Sequence, residues 1–197
     1  FLIPKYSRFD EALEVGCLLY HRLKKILHSM GKNTNVGDEG GFAPFFERND
    51  QVLELLKNLS QDYQVGLGLD IASTTFYKNG YYFPEKRRLS PDDYLKFITT
   101  ISHKYNLEIL EDAFYEDAWE SWTKLTSELG VKTRIIGDDL LVTNPLRLKK
   151  AVAMGACNGI VVKVNQIGTL SETLKVVKLA RQAKFTVIIS HRSGETT

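Results

Sequence analysis

Two hydrophobic periodicities alternate along the chain. Apolar residues recur at helical spacing from Phe9 to Met30, and Gly31 follows where that pattern stops. After residue 106, short apolar runs typical of buried strands alternate with amphipathic stretches. The runs predict strands at 107–112, 133–139, 158–164 and 185–191, and the stretches predict helices at 118–130, 144–155 and 169–183. Strands and helices in this order indicate a parallel sheet covered by helices, in the α/β class.

The first half of the chain predicts shorter elements. They are an extended piece around Val36, a helix at 51–59 and a buried strand at 66–71. The segment FYKNGYYF predicts a β-hairpin, because Asn79 and Gly80 between aromatic runs suit a type I′ turn. Ser90, with Pro91 directly behind it, predicts the start of a further helix. In total, about six strands of a parallel sheet are expected.

The composition is that of an ordinary folded domain. Hydrophobic residues make up 43% and charged residues 25% of the 197 positions, which fits neither a disordered chain nor a membrane protein. The net charge is +2, so there is no electrostatic reason to expect nucleic acid or an anionic membrane surface as a partner. No apolar run reaches the roughly 18 residues of a membrane span. Cys17 and Cys157 show no disulfide or metal-ligand spacing, which suits a reducing compartment, and we expect a cytoplasmic protein.

Six ionisable residues lie at or just past the ends of successive predicted strands. They are Glu39, Asp70, Glu111, Asp138, Lys163 and His191. In a (β/α)8 barrel the strand ends converge on one mouth, whereas an open doubly wound sheet would spread six such groups along a line. The sequence therefore favours a (β/α)8-type TIM barrel. The 197 residues would cover about six of its strands, and about two further βα units would lie outside them.

Three carboxylates carry the chemical part of this interpretation. Asp70, Glu111 and Asp138 each follow a buried apolar run, so they are expected to meet at the mouth. Carboxylates that are brought together stay ionised only if a positive group lies between them. Oxygen ligands with open positions suit Mg2+ bound together with an anionic substrate. Each acid alone also fits a loop cap or an ion pair, but three on adjacent strands favour a metal site.

Lys163 and Glu39 have two interpretations each. Lys163 lies in the apolar segment IVVKVNQIG, where a lysine is usually paired or functional. Beside a metal its pKa would be lowered and it could act as a general base; alternatively, it neutralises Asp138. Glu39 lies in VGDEGGFAP, which fits either a tight carboxylate-bearing loop or a simple glycine-rich turn. The last segment, SHRSGET, offers groups that recognise phosphate or carboxylate. These groups belong to His191, Arg192 and Ser193.

Several motifs of the chain closely resemble those of the enolase family, and they occur in the same order. They are NTNVGDEGGFAP, LGLDIASTTFY, ILEDAF, IIGDDLLVTNP, VVKVNQIGTLSET and ISHRSGET. The similarity runs from about residue 1 to 197, and its most specific parts are KVNQIG and SHRSGET. The resemblance implies the C-terminal catalytic barrel domain of the enolase superfamily. The implied reaction is that of a lyase of glycolysis and gluconeogenesis, which dehydrates 2-phospho-D-glycerate to phosphoenolpyruvate.

The resemblance also assigns roles to single residues. Lys163 would remove the C2 proton of 2-phosphoglycerate, and Glu39 would act as an acid on the departing C3 hydroxyl. His191 would line the substrate pocket, and Arg192 and Ser193 would hold the phosphate. The use of a lysine or histidine base with one or two Mg2+ ions is a general property of this superfamily.

Mg2+ is the cofactor that the resemblance implies, with Asp70, Glu111 and Asp138 as its ligands. The family also leads us to expect a homodimer. Compared with the family, residues 1–197 would lack the N-terminal capping domain and the last barrel units. A second catalytic lysine would fall one strand beyond Thr197. We therefore expect residues 1–197 to be part of a longer protein and not to be active alone.

Two alternatives remain open at this point. One is another metal-dependent barrel enzyme of the same superfamily, which removes a proton beside a carboxylate in a substrate without phosphate; Arg192 and Ser193 argue against it. The other is a non-catalytic enolase-like fragment with a structural or binding role. The retention of all six strand-end residues argues against that role. Stabilisation by Mg2+ would separate a working site from a scaffold, because a bound ion stabilises the folded state by mass action.

Overall fold

The computed structural model of the protein describes residues 1–192, which form two compact units. The first unit comprises residues 1–67 and the second comprises residues 68–192. The boundary falls inside a strand, at a position that no linker or change of composition marks. Among the helices of these residues, none combines the length and the apolar character that crossing a membrane requires.

The first unit contains two helices and a short antiparallel pair of strands. Its elements are β1 (Leu2–Pro4), α1 (Phe9–Ser29), α2 (Asn49–Ser60) and the beginning of β2 (Val65–Asp70). β1 pairs antiparallel with β2, with Leu2 opposite Leu67. The extended piece expected around Val36 makes only one antiparallel bridge, to Phe42. β1 was not predicted, because three residues are too few to show a periodicity.

The second unit is a parallel sheet covered by helices. Its further elements are β3 (Tyr77–Lys78), β4 (Tyr81–Tyr82), α3 (Pro91–Tyr105), β5 (Ile109–Glu111), α4 (Trp119–Leu129), β6 (Arg134–Gly137), α5 (Pro145–Met154), β7 (Gly159–Val162), α6 (Val164–Ile167), α7 (Leu170–Gln182) and β8 (Thr186–Ile189). The end of β2 pairs in parallel with β5, and β5, β6, β7 and β8 follow in chain order, all parallel. The alternation predicted after residue 106 is confirmed. Among the described residues five strands are parallel rather than the six expected, because the piece around Val36 makes only an isolated bridge and β1 is antiparallel. The short helix α6 was missed, because its first residue, Val164, was assigned to the preceding strand and four residues are too few to show a helical periodicity.

The core of the second unit lies between the strands and the inner faces of the helices. All four residues of β7 are buried, and Ile135 and Ile136 in β6 are completely buried. Trp122 and Leu125 in α4 are also completely buried. β6 and β7 are buried on both faces, which explains why they appear in the sequence as continuous apolar runs.

Side-chain caps fix where the helices start after the strand ends. The Asn144 Oδ1 accepts the Leu146 N–H at 2.8 Å at the start of α5, and the Thr169 Oγ1 accepts the Glu172 N–H at 3.2 Å at the start of α7. The predicted cap at Ser90 is also confirmed. In the turn between β3 and β4, residues 79 and 80 have φ of 50° and 82°, as a type I′ turn requires.

Gly159 in β7 gives a test of the packing between neighbouring strands. A Cβ at this position would overlap the buried Ile136 side chain and lie 3.1 Å from the Thr186 carbonyl oxygen. We expect Gly159→Ala to lower the free energy of unfolding by about 1–3 kcal/mol, because the closely packed strands would have to move apart. The measurement is urea unfolding of the full-length protein.

Gly16 in α1 is the matched control for that substitution. A Cβ there would meet no atom within 4 Å. Gly16→Ala should raise the free energy of unfolding by about 0.5–1 kcal/mol, since alanine loses less conformational entropy in a helix. Equal effects of the two substitutions would contradict the packing described for β7.

The two cysteines should differ in reactivity. Cys17 is exposed, whereas Cys157 is buried just before β7, and burial raises the pKa of the Cys157 thiol to about 12. Since the thiolate is the reactive form, we expect a thiol reagent at pH 8 to modify Cys157 only after the protein is unfolded. Peptide mass mapping after timed labelling checks this, with Cys17 as the internal reference. Rapid labelling of Cys157 in the folded protein would contradict the burial.

Candidate active site

Consecutive parallel strands bring four of the predicted residues to one edge of the second unit. Asp70 is the last residue of β2 and is the register partner of Glu111, the last residue of β5. Asp138 directly follows β6, and Lys163 directly follows β7. Because the strands are parallel, these positions lie at the same, carboxyl end of the sheet. The strand register places Asp70 beside Glu111, and a hydrogen bond joins Lys163 to Asp138.

Asp138 and Lys163 form the centre of this cluster. The Lys163 ammonium donates a hydrogen bond to the Asp138 Oδ2, and the side chains are only 20% and 11% exposed. The other carboxylate oxygen, Oδ1, is buried and has no hydrogen-bond partner among residues 1–192. A buried carboxylate oxygen without a partner is unfavourable. It fits a site in which a further positive group completes the arrangement.

The remaining carboxylates of the cluster bind protons more tightly than usual. Burial raises the pKa of Glu111 to about 8, and the negative charges of Asp70 and Asp138 add to this effect. Burial also raises the pKa of Asp70, although a hydrogen bond from the Ala72 N–H opposes it. One ammonium therefore does not compensate the whole group of acids. A divalent cation with oxygen ligands fits the donor set Asp70, Glu111 and Asp138.

Contact with Asp138 determines the direction of the Lys163 pKa in this structure. The sequence predicts a lowered pKa beside a metal, and burial does act in that direction. The hydrogen bond and the charge of Asp138 outweigh burial and raise the pKa of Lys163. The alternative in which Lys163 neutralises Asp138 therefore describes the contact in this structure. A base at this position needs that contact to be weakened.

Asp112 is a residue of the cluster for which sequence analysis predicted no role. It is 5% exposed, and its Oδ1 and Oδ2 accept the N–H groups of Asp138 and Asp139, each at 2.9 Å. Burial raises the pKa of Asp112 to about 7, whereas the two N–H groups act to lower it. The one sign of this residue in the sequence is that it forms an acidic pair with Glu111. The sequence does not show which of the two acids bonds to the backbone, because that depends on tertiary structure.

Asp112, Asp138 and Asp139 also form a group whose carboxylate oxygens lie within 4.8 Å of one another. They are a second possible ligand set, which shares Asp138 with the first. Both oxygens of Asp112 are already hydrogen-bonded to the backbone, whereas the Asp138 Oδ1 has no partner in the described part of the chain. This difference favours Asp138 as the ligand and Asp112 as a support.

Buried hydrogen bonds hold the segment that follows β5. The Ser73 hydroxyl donates to the Ala113 carbonyl oxygen and is 2.8 Å from the Tyr94 hydroxyl. The Tyr82 hydroxyl accepts the Tyr115 N–H at 3.0 Å. Ser73, Tyr82 and Tyr94 are all completely buried. The segment directly after Glu111 is therefore held by Ser73, which follows β2, and by Tyr82 of the hairpin, while Tyr94 of α3 contacts the Ser73 hydroxyl.

Thr143 holds the backbone of Lys163. Its hydroxyl oxygen accepts the Lys163 N–H at 3.0 Å, and its hydroxyl donates to the Gln166 Oε1 at 2.9 Å. Thr143 is completely buried and has a φ of 53°. The loop after β6 therefore positions both Asp138, which it contains, and Lys163, which it contacts.

The remaining predicted residues are placed as follows. His191 and Arg192 follow β8 and are exposed, and the positive charge of Arg192 acts to lower the pKa of Lys163. Ser193 lies outside the described residues. Glu39 belongs to the first unit, in an exposed turn in which the Gly37 N–H donates to the Gly41 carbonyl oxygen at 2.9 Å.

A parallel α/β arrangement with acids and a lysine at the carboxyl ends of consecutive strands is typical of (β/α)8-barrel enzymes. Comparison with known proteins makes this assignment specific. Residues 1–197 match the family model described as enolase, C-terminal TIM barrel domain. The chain belongs to the enolase family. The predicted fold class and the family resemblance are both confirmed, and the family implies a divalent metal.

The chain is similar over its whole length to curated enolases of bacteria. Its match to the enolase of Neorickettsia sennetsu is 45% identical over 200 residues and covers 100% of this chain and 48% of that protein. Its match to the enolase of Elusimicrobium minutum is 43% identical over 199 residues and covers 99% of this chain and 47% of that protein. The chain therefore spans about half the length of these relatives.

Ser73 gives a test of the network behind Glu111. We expect Ser73→Ala to lower the free energy of unfolding by about 1–3 kcal/mol, because the Ala113 carbonyl and the Tyr94 hydroxyl lose a buried partner. Ser127→Ala is the matched control, since the Ser127 hydroxyl is exposed and donates only within its own helix. The control should change the free energy by no more than about 0.5 kcal/mol in urea unfolding. Similar changes in both variants would contradict the role of the network.

Proposed function

We propose that the protein containing this chain converts 2-phospho-D-glycerate to phosphoenolpyruvate in a Mg2+-dependent dehydration. The observation that carries this proposal is the environment of Asp138: one oxygen pairs with Lys163, and the other is buried without a partner among the described residues. Membership of the enolase family supports the same reaction. The chain covers about half of its relatives, so the activity is proposed for the longer protein.

Asp70, Glu111 and Asp138 are the residues that would hold the metal ion. They offer only carboxylate oxygens, which are the ligands that Mg2+ prefers. Burial, and to a smaller extent the charges of neighbouring acids, raise the pKa values of Asp70 and Glu111, and a cation at this place would offset both effects. When bound, the ion would supply the positive charge that stabilises the enolate-like carboxylate formed when the C2–H bond breaks.

Lys163 is the proposed base. Its neutral amine takes the C2 proton, and the electron pair of the C–H bond moves toward the substrate carboxylate. In the structure the contact with Asp138 favours the ammonium form, so the base form requires Asp138 to share its charge with another cation. The hydrogen bond from the Lys163 N–H to Thr143 keeps the backbone in place while the side chain exchanges a proton.

The other residues act on the leaving group and the phosphate. Glu39 donates a proton to the C3 hydroxyl, which leaves as water as the C2–C3 double bond forms. Arg192 binds the phosphate through its guanidinium, and Ser193 adds a hydroxyl donor. His191 lines the pocket beside them. His191 and Arg192 are exposed and separated from the end of β8 only by Ser190, a position that is consistent with contact to a ligand.

Replacement of Lys163 tests the proposal. In the full-length protein, Lys163→Ala should lower kcat by at least about 10²-fold, because a general base contributes about 10²–10⁴-fold. The measurement is the absorbance of phosphoenolpyruvate after addition of 2-phosphoglycerate with Mg2+, repeated with a chelator. Lys178→Ala, at an exposed position of α7, is the control and should leave turnover unchanged.

Two results would contradict the proposal. One is turnover of the unmodified protein that persists when a chelator has removed the divalent ions. The other is a Lys163→Ala variant that retains the kcat of the unmodified protein. If the unmodified protein binds Mg2+ but turns over a related acid without phosphate, the superfamily chemistry stands and the substrate is wrong.

A further inference from the structure

Asp112 is the most completely satisfied acid of the cluster. Its side chain is buried, and each of its two oxygens accepts one backbone N–H at 2.9 Å. The two donors are consecutive residues, Asp138 and Asp139, at the point where the chain leaves β6. One carboxylate therefore defines the orientation of two successive peptide groups.

The backbone of Asp112 joins the same three strand ends. Its carbonyl oxygen accepts the Ser73 N–H at 3.1 Å, beyond the end of β2. Its own N–H donates to the Ile136 carbonyl oxygen at 3.1 Å, in β6. Asp112 itself follows β5 directly. It thus connects the ends of β2, β5 and β6, the three strands that carry Asp70, Glu111 and Asp138.

A buried acid at position 112 costs free energy that a neutral residue at the same position would not. A buried carboxylate loses its hydration, which is why the pKa of Asp112 is raised. Its φ of 44° is a left-handed conformation, which asparagine and glycine adopt as well as aspartate. Aspartate differs from these two residues in that it offers two acceptors and no donor. The pair of N–H groups from Asp138 and Asp139 matches that property.

We infer that Asp112 is a positioning residue that aims the Asp138 carboxylate at the bound cation. The inference rests on the proposed function, since it assumes that Asp138 is a metal ligand. Asp112 acts through the backbone: its carboxylate holds the peptide groups on both sides of the Asp138 Cα, and this fixes the direction of the side chain. Supports of this kind behind a metal ligand typically change metal affinity by about 10–100-fold.

The test is the affinity of the full-length protein for Mn2+, used as a spectroscopic probe of the cation site. Free Mn2+ is measured by electron paramagnetic resonance, and water-proton relaxation reports how many water molecules remain on the bound ion. We expect Asp112→Asn to weaken Mn2+ binding by about 10–100-fold, because an amide nitrogen then faces one of the two N–H groups. The number of bound waters should not change, since no ligand of the ion is lost.

A second substitution covers the case in which Asp112→Asn does not fold. Asp112→Gly retains the left-handed conformation, removes both acceptors and leaves room for water to replace them. It should weaken Mn2+ binding at least as much as Asp112→Asn. The inference would be overturned if the Mn2+ affinity of both variants stays within a factor of about three of that of the unmodified protein, because such supports typically have a much larger effect.

Two controls separate positioning from charge and from stability. Asp139→Asn removes the same unit of charge beside Asp138 but keeps the Asp139 N–H, so it should have the smaller effect. Asn158→Ala removes a side chain that accepts the Ile135 N–H at 2.7 Å and donates to the Gly130 carbonyl oxygen at 2.9 Å, at the opposite end of β6 and β7. It should lower the unfolding temperature without a change in Mn2+ affinity.

The remaining outcomes of the Mn2+ measurements contradict either the inference about Asp112 or the proposed function. If Asp139→Asn weakens Mn2+ binding as much as Asp112→Asn, the inference is wrong. Either the loss of negative charge explains the weaker binding, or Asp112, Asp138 and Asp139 bind the ion directly. The inference is also wrong if Asn158→Ala weakens binding equally, or if Asp112→Asn adds a water to the bound ion. If the unmodified protein does not bind Mn2+ at all, the proposed function fails first, whatever the variants show.

Discussion

Mutual repulsion among carboxylates at the carboxyl edge of a parallel sheet is the constraint on which this structure depends. Asp70, Glu111, Asp112, Asp138 and Asp139 all lie at this edge. Burial raises the pKa of Glu111 to about 8 and that of Asp112 to about 7, and the charges of neighbouring acids add to both effects. Within the described chain, the one ammonium group that contacts them directly is that of Lys163. The free energy to hold such a group together must come from elsewhere in the fold.

The apolar strands and the buried polar network supply that free energy. β6 and β7 are almost entirely buried, so the strand ends cannot separate without exposing the core. Ser73, Tyr82 and Tyr94 are completely buried and fix the segment behind Glu111 through hydrogen bonds. The stability of the core therefore holds together a group of acids that is electrostatically unfavourable.

Much of this organisation follows from local sequence. The helix start at Asn144 is set by a side chain and its own backbone neighbours, and the turn at Asn79 and Gly80 by the left-handed conformation of two residues. The strand-end acids could be predicted because each directly follows a buried run. The role of Asp112 could not, because its partners are 26 and 27 residues away and become its neighbours only when β5 pairs with β6. The sequence left open whether Lys163 pairs with Asp138, and that contact also joins residues that are 25 positions apart in the chain.

The double hydrogen bond of Asp112 also restricts how chain length can vary in related proteins. Its carboxylate pairs with two consecutive N–H groups, so one extra or missing residue directly after β6 would shift both donors out of register. The same change would move Asp138 away from Lys163, because both contacts depend on the same short segment. Insertions and deletions are tolerated best at exposed turns without such contacts. The turn between β3 and β4 has Asn79 and Gly80 exposed at its tip, so we expect insertions and deletions to be tolerated there. We expect none to be tolerated in the segment from Gly137 to Asp139.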